Sequence, residues 1–394
     1  MKTETQRTPI LILGVGMTPV GEHWDRSLRE LALEAITQAR REAGGLKPDV
    51  LYVANMLSPT LSRQIHLGTL LADFAGLRGI EAVAVEAAGA SGGLALRQAY
   101  LALLSGEVKV ALVVGVEKVS EGLSAEVESA LTTATDADYE SVHGITETAL
   151  AAMLMQRYLH EFEAPADALA GFPITAHANA VANPHAMFRR AITRETYQKA
   201  PLLSAPLNMF DAAPLADGAA ALLLARADAL PGSPPEPAVQ VSGSGTSVSA
   251  LALHDRPDPL AFQAAAEAIS RALKAAGLKP EAIDLFELHD RFSIYAALAL
   301  EAAGFAPRGQ GWRMAQDGAI SLQGKLPVCT MGGSKARGDT GGATGVYQAV
   351  EAVLQLRGLA GESQIPNARH ALIQCLGGSG ATAAAHVLSR FEAK

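Results

Sequence analysis

The chain contains one pattern twice, and that repeat limits its possible folds more than any other feature. An apolar run ends at Gly14-Val15-Gly16-Met17-Thr18, and a second, Ala238 to Val241, ends at Gly243-Ser244-Gly245-Thr246. A helical pattern follows each. The first holds Glu34-Ala35-Ile36 with Ala39, Ala43 and Gly44; the second holds Glu267-Ala268-Ile269 with Ala272, Ala276 and Gly277. Leu46-Lys47-Pro48 then matches Leu278-Lys279-Pro280. Glycine accepts a left-handed cap and proline cannot continue a helix, so both helices are expected to end there. Strands are expected at Val50 to Ala54 and Leu285 to Leu288. The next unit repeats as well. Gly89 to Gly93 opens a helix that reaches Leu104 and stops at Gly106, and Gly341 to Gly345 opens one that reaches Leu356 and stops at Gly358. Buried strands follow at Val108 to Val114 and His370 to Gln374.

Apolar strands alternating with helices predict parallel-rich sheets covered on both faces. The expected architecture is a duplicated α/β protein, with halves at 1–235 and 236–394 and a Pro-rich linker from Leu230 to Pro237. The first half carries an excursion, about 120–206, without a partner in the second. Insertions of that size tend to build substrate sites.

Composition excludes several classes. Apolar residues make up 49% of the 394 and charged ones 18%, enough to fill a large core. A net charge of −8 lacks the footprint of a general nucleic-acid binder. Two cysteines, Cys329 and Cys375, exclude a disulfide scaffold and fit a reducing compartment. No run of about 18 apolar residues predicts a membrane span. The run Pro9 to Met17 reads as a first buried strand rather than a secretory signal, and the C-terminus shows no peroxisomal tripeptide. Cytoplasm is the default expectation.

Several segments, in order along almost the whole chain, resemble the thiolase superfamily, in particular its sterol-carrier-type branch. Val85-Glu86-Ala87-Ala88-Gly89-Ala90-Ser91-Gly92-Gly93 looks like the nucleophile turn, and Asp211 to Ala220 like the stretch ending in D-G-A-A. Glu287-Leu288-His289-Asp290-Arg291-Phe292 is similar to the H-D-x-F element. Gly332 to Gly345 resembles G-G-x-K-x-x-G-H-P-x-G-A-T-G, and Cys375-Leu376-Gly377-Gly378 resembles C-x-G. His177-Ala178-Asn179-Ala180 and Phe188-Arg189-Arg190 are also similar to this branch. The resemblance implies a layered αβαβα fold from two duplicated halves, in a tight homodimer that handles CoA thioesters. It implies no cofactor beyond the CoA of the substrate, and a small OB-fold, zinc-ribbon partner protein is expected from close relatives.

Fold does not settle the reaction. A thiolase needs a cysteine at a helix N-terminus, where backbone N–H groups favour the thiolate. That position here is Gly89, which cannot be acylated. The G-H-P histidine, a donor to the thioester oxygen in the family, is replaced by Asp339, and a carboxylate repels a developing oxyanion. His289 and Cys375 remain. His289 reads as an N–H donor to an enolate, against a core histidine bonded to a carbonyl. Cys375 reads as an acid or base, against an inert buried residue; Cys329 reads as structural. Tyr295 follows His289, and Tyr347 lies inside the helix opened by Gly341 to Gly345. Phenols there can exchange protons, against the commoner role of packing with a satisfied O–H. The resemblance sharpens this: steroid side-chain retro-aldolases of the superfamily dispense with the cysteine and are thought to use tyrosines after these two motifs.

Gly89, His143, Lys335, Arg337 and Gly377 are expected around the substrate. Arg189, Arg190, Lys335 and Arg337 are candidates for CoA phosphates, with a solvated basic face as the equal alternative. His143, His160, His177 and His185 lack metal-ligand spacing. Ser91, Ser244 and Ser334 lack a hydrolase triad, and Gly14-x-Gly16 is too short for a dinucleotide fingerprint. The leading expectation is a lyase: retro-aldol cleavage of a β-hydroxyacyl-CoA, with Tyr295, Tyr347 or Asp339 as base, His289 on the enolate, and Gly89 opening room for a bulky β carbon. A divergent acetyl-CoA acyltransferase and a non-catalytic acyl-CoA-binding scaffold are the alternatives.

Overall fold

The computed structural model describes residues 8–230, 232–234 and 237–392, so part of the expected linker lies outside the described residues. In chain order the elements are β1 (Ile10–Met17), α1 (Leu28–Glu42), β2 (Val50–Ala54), α2 (Leu67–Phe74), β3 (Glu81–Val85), α3 (Ser91–Ser105), β4 (Val110–Glu117), α4 (Ser124–Leu131), α5 (Glu147–Glu161), α6 (Gly171–Ala180), α7 (Arg194–Gln198), β5 (Leu202–Ser204), β6 (Leu207–Asn208) and β7 (Gly218–Arg226). They continue as β8 (Ala238–Val248), α8 (Gln263–Ala276), β9 (Leu285–Glu287), α9 (Ser293–Ala302), α10 (Gly311–Gln316), α11 (Thr344–Arg357), β10 (His370–Gly377) and β11 (Thr382–Phe391). Helices α3 and α11 start and stop where the glycines dictate: Gly106 and Gly358 cap them in the left-handed conformation at φ 85° and 75°.

The main sheet has nine strands in the order β3-β2-β4-β7-β1-β8-β11-β10-β9. Read outward from its centre, the order is β1-β7-β4-β2-β3 one way and β8-β11-β10-β9 the other, so the duplication appears as an approximate two-fold arrangement. Among the described residues an isolated bridge, Phe286 to Val328, stands where the first half has β3. The halves join through a short antiparallel contact, Leu11 with Gln240 and Ile12 with Val239. The expectation of parallel-rich sheets needs correcting: three neighbouring pairs are parallel and five antiparallel. Strands β7 and β11 run against their neighbours, although both faces are covered as in a parallel sheet.

Three apolar cores give the layers. Strand residues Leu11, Leu51 and Leu112 pack with Leu31 and Ile36 of α1 on one outside face. Leu372 and Val387 pack with Ile269 of α8 and Leu298 of α9 on the other. Between them, Leu96 of α3 and Val350 of α11 pack against both halves. Repeat-equivalent glycines set the outer contacts. A β-carbon on Gly14 or Gly243 would collide with the carbonyl oxygen of Ala39 in α1 or Ala272 in α8. Glycine therefore lets each helix lie directly on its strand.

The same substitution is accordingly expected to act alike in both halves. Gly14→Ala and Gly243→Ala should each destabilise by about 1–3 kcal/mol, the usual range for overpacking, read as a lowered denaturation midpoint with an unchanged slope. Unaltered midpoints in either variant would contradict the shared packing.

Candidate active site

The site is built where the first turns of α3 and α11 meet the ends of β9 and β10. Short 3-10 turns, Ala88–Ala90 and Gly341–Ala343, lead into the two helices in the same way. A β-carbon on residue 89 would lie 3.1 Å from His289 Cε1 and 3.6 Å from Nε2, so Gly89 faces the imidazole. It would also lie 2.6 Å from the Leu376 carbonyl oxygen. The expectation that Gly89 opens room for substrate is thereby corrected: backbone fills the space a side chain would take. Gly377 closes the same corner, with its α-carbon against the Ala87 carbonyl.

His289 is buried, its backbone N–H donates to Gln374 Oε1 (3.2 Å), and its Nδ1 has no partner among the described residues. Burial lowers its pKa against the opposing pull of Asp339, so the ring is neutral and has an N–H to offer. Cys375 lies between the helices, beside Gly93 and Gly345, with its Sγ 3.7 Å from the Ala384 carbonyl. Burial pushes this thiol up to about 12 and raises that of Cys329 well above its ordinary value. Neither is a thiolate near neutrality.

Asp339 is fully buried but not isolated. Arg291 Nη1 donates to its Oδ2 at 2.6 Å, and the Gly341 N–H (3.1 Å) and Thr344 hydroxyl (2.9 Å) donate to Oδ1. Burial works to raise its pKa, yet Arg291, His289 and these donors outweigh it and hold the carboxyl below its usual range. The reading of Asp339 as a bare repulsive charge, or as the base, is corrected by this geometry: its charge is matched and its lone pairs are engaged. Arg291 also reaches Glu147 Oε2 at 3.2 Å. The sequence reading missed both residues. Arg291 occupies the variable place in the H-D-x-F element, and an acid in place of a histidine was the signal that a cation should be sought nearby.

The two tyrosines are both fully buried, and burial raises both pKa values. Tyr347 is engaged: its hydroxyl lies 3.0 Å from the Thr18 carbonyl and 3.1 Å from the Thr18 hydroxyl, and its ring carries the Arg337 guanidinium at 5.1 Å. Tyr295 is unengaged. Its hydroxyl lies beside that of Ser379, and neither has a hydrogen-bond partner of good geometry among the described residues.

The remaining expectations divide. Lys335 and Arg337 are turned inward, contrary to a role on CoA phosphates. Lys335 Nζ donates to the Asp211 carbonyl (2.7 Å), and Arg337 Nη1 pairs with Glu351 at 2.7 Å, both with their side chains buried. Arg189 and Arg190 are exposed, as is His143, which sits on a single turn, Ser141–His143, of the excursion. Asp217 of the D-G-A-A stretch anchors the start of that excursion, accepting from Lys118 (2.9 Å) and from the Val119 and Ser120 N–H groups (2.7 and 2.9 Å). A cleft of about 680 Å³ runs beside α5, lined by Ile145, Leu150, Met153 and Leu253. It contains none of the expected catalytic side chains, so chemistry is located by the polar groups and not by the cavity. Among the described residues no helix is long and apolar enough to cross a membrane.

Models of two families match the chain: the thiolase N-terminal domain over residues 10–228 and the thiolase C-terminal domain-like family over 245–390. An acetyl-CoA acetyltransferase of Methanothermobacter thermautotrophicus is 40% identical over 383 residues, covering 97% of this chain and 99% of that protein. The benzoylsuccinyl-CoA thiolase subunit BbsB of Thauera aromatica is 30% identical over 374 residues, covering 94% of each. Among solved structures, an Ltp2-ChsH2(DUF35) aldolase superposes with a TM-score of 0.82 at 23% identity, covering 97% of this chain and 98% of that one. Human mitochondrial 3-ketoacyl-CoA thiolase superposes at 0.76 and 18% identity, covering 98% and 99%. At these identities the structures establish the fold.

The buried carboxyls around this site have a pH consequence. Burial pushes Glu117, which accepts from the Met56, Leu57 and Gly342 N–H groups, up to about 7 from an ordinary 4.5, and raises Glu287 and Glu351 as well. Such groups ionise more readily in the unfolded chain, so their contribution is complete below about 4.5 and is lost as pH rises through the folded value. His386, depressed to about 4 from 6.5, acts in the opposite sense only below 6.5, and Lys335, depressed to about 8, only above 8. Between these limits the carboxyls act alone. Tm is expected to fall from about pH 6.5 to 8 and to fall less steeply in Glu117→Gln; a Tm that climbs across the window would contradict the assignment.

Proposed function

Because the chain belongs to the thiolase family, the open question is which reaction its altered site runs, and we propose retro-aldol cleavage of a β-hydroxyacyl-CoA without an acyl-enzyme. One observation carries the reading: residue 89 is a glycine with no space for a side chain, and the two cysteines present are buried, neutral thiols. Acyl transfer through cysteine needs a thiolate. Retro-aldol cleavage needs only an acceptor for the β-hydroxyl proton, a held enolate and a proton for the α carbon. Neutral His289, beside the positive ends of the two helices, suits the enolate oxygen. Of the two tyrosines Tyr295 fits the proton transfer better, since its hydroxyl is unengaged, while that of Tyr347 is bonded to Thr18. The products are a ketone or aldehyde and a shortened acyl-CoA.

Acyl transfer is the second reading, favoured by the relative at 40% identity, which bears the name acetyl-CoA acetyltransferase. One experiment separates the two. A panel of tertiary β-hydroxyacyl-CoA esters is offered to wild type, Tyr295→Phe and Tyr347→Phe, and protein incubated with acetyl-CoA or acetoacetyl-CoA is weighed by mass spectrometry. Cleavage is expected in wild type, with a loss of about 10²–10⁴ in Tyr295→Phe, a smaller loss in Tyr347→Phe, and unmodified protein mass. An acyl adduct on Cys375 or Cys329, or full activity in Tyr295→Phe, would overturn the lyase reading.

The assembly we propose is a homodimer joined by a small OB-fold, zinc-ribbon partner. Strand β3 is an outer strand of the sheet, and Val83 on it is 49% exposed. An open apolar edge of this kind is normally covered. The word subunit in the name of the Thauera relative supports a further partner. Sedimentation at micromolar concentration is expected to give about twice the chain mass; a monomer would count against the dimer.

A further inference from the structure

Tyr295 belongs to the first turn of α9 and Glu147 is the first residue of α5, and these helices pack together. Glu147 is buried, and its Oε2 is 3.2 Å from Arg291 Nη2. The Arg291 guanidinium lies 5.7 Å over the Phe292 ring, which meets the Tyr295 ring edge-on at 5.1 Å. Carboxyl, guanidinium and phenol therefore lie in one buried region, in which the hydroxyls of Tyr295 and Ser379 and Arg291 Nε are without partners among the described residues. Three such atoms in one region leave polar groups for a polar guest to satisfy. We propose that Glu147 is the proton acceptor behind Tyr295, the phenol and the carboxyl working as one relay; this rests on the lyase reading above.

The chemistry requires a second group. Burial, with the charge of Glu147 added, raises the phenol, so Tyr295 does not stand as a phenolate. A neutral phenol accepts a proton only if its own departs in the same step. In cleavage the β-hydroxyl proton passes to the Tyr295 oxygen while the Tyr295 proton passes to a Glu147 oxygen, directly or across one hydroxyl or water. The O–H electron pair forms the carbonyl of the departing ketone or aldehyde, and the Cα–Cβ pair becomes the enolate. On return, Glu147 reprotonates Tyr295 as Tyr295 protonates the α carbon, leaving no net change in either residue. Asp339 does not serve, because Arg291, Thr344 and Gly341 hold its charge. Glu147 is faced by Arg291, which favours its carboxylate, and by Asp339 and, from α4, Glu128, which oppose it; burial prevails and raises its pKa. Tyr295 is faced in addition by Arg256, itself near Glu140. Glu147 acts through Tyr295 and touches no reacting carbon.

The test is infrared titration of the protonated-carboxyl band in the full-length protein, taken as the difference from Glu147→Gln, in wild type and in Tyr295→Phe. In the proposed relay the phenol stabilises the carboxylate directly or across one hydroxyl or water, so its removal should raise the Glu147 midpoint. The cleavage rate should fall on the acid side of the wild-type midpoint. Glu147→Gln should lower kcat by about 10²–10⁴ and abolish that limb, while Glu147→Asp keeps it. A purely structural carboxyl would lower rate and Tm in Glu147→Gln but leave the midpoint unmoved in Tyr295→Phe, and an unmoved midpoint overturns the proposal. If Glu147→Gln does not fold, the spectrum of Tyr295→Phe against wild type carries the same comparison, since phenylalanine keeps the ring. A midpoint that responds to Tyr295 in a protein that cleaves no β-hydroxyacyl-CoA supports the coupling and sinks the lyase reading alone.

Discussion

Backbone meets backbone where the first turns of α3 and α11 cross: a β-carbon on Gly92 would lie 2.7 Å from the Val346 amide nitrogen, and one on Gly345 2.6 Å from that of Gly93. Side chains of any size would part the helices there. Held together, they bring the first turns of both helices to one region, and the positive ends of both helix dipoles meet there. The turns bearing Gly89 and Asp339 are fixed by the same contact. Gly115 on β4 lets the turn Gly341–Ala343 approach, since a β-carbon there would lie 2.8 Å from the Ala343 α-carbon. Glu117, two residues on, accepts from the Gly342 N–H and ties the second half's turn to the first half's strand. The meeting of the two helix starts thus follows from the glycines alone, before any other side chain is considered.

The glycines are also why so much was legible in the sequence. Gly14 and Gly243, or Gly106 and Gly358, recur because strand-on-helix contact leaves no room for a β-carbon and left-handed caps favour glycine, so the duplication is readable at these positions. Strand direction was not legible. Buried on both faces, β7 and β11 read as continuous apolar runs whether they run parallel or antiparallel to their neighbours, and only the connection between them decides. The insertion was visible as an unmatched length of chain, but its product at the site, Glu147, was not. A glutamate at the start of a helix normally reads as a favourable charge near the dipole, and only tertiary packing shows it buried against Arg291.

Buried polar groups were misjudged in a consistent way. Lys335 and Arg337, in one motif, were candidates for CoA phosphates, with a solvated basic face as the alternative. In the fold that segment is internal, so their charges are matched by the Asp211 carbonyl and the Glu351 carboxylate. Tyr347 was judged by position along the helix, whereas its hydroxyl turns to Thr18. Position in a motif fixes where a side chain starts. Which neighbours satisfy its polar end is decided by tertiary packing, whether the partner lies 329 positions away, as Thr18 does from Tyr347, or 14, as Glu351 does from Arg337.

Glu147 and Asp339 show what such closure can do to identical chemistry. Both are buried carboxyls on the same guanidinium, yet one is pushed up and the other held down. The difference lies in their other partners. Asp339 receives a hydroxyl and a peptide N–H as well as the closer of the two Arg291 contacts, 2.6 Å against 3.2 Å. Glu147 has burial and the charge of Asp339 itself working against its ionisation. The ionised Asp339 thus raises the proton affinity of its neighbour. Two acids whose surroundings separate their proton affinities are the usual means by which a site assigns one to structure and the other to proton transfer. In this chain both acids share Arg291, the residue in the variable place of a motif, and it is the groups around that shared cation that separate them.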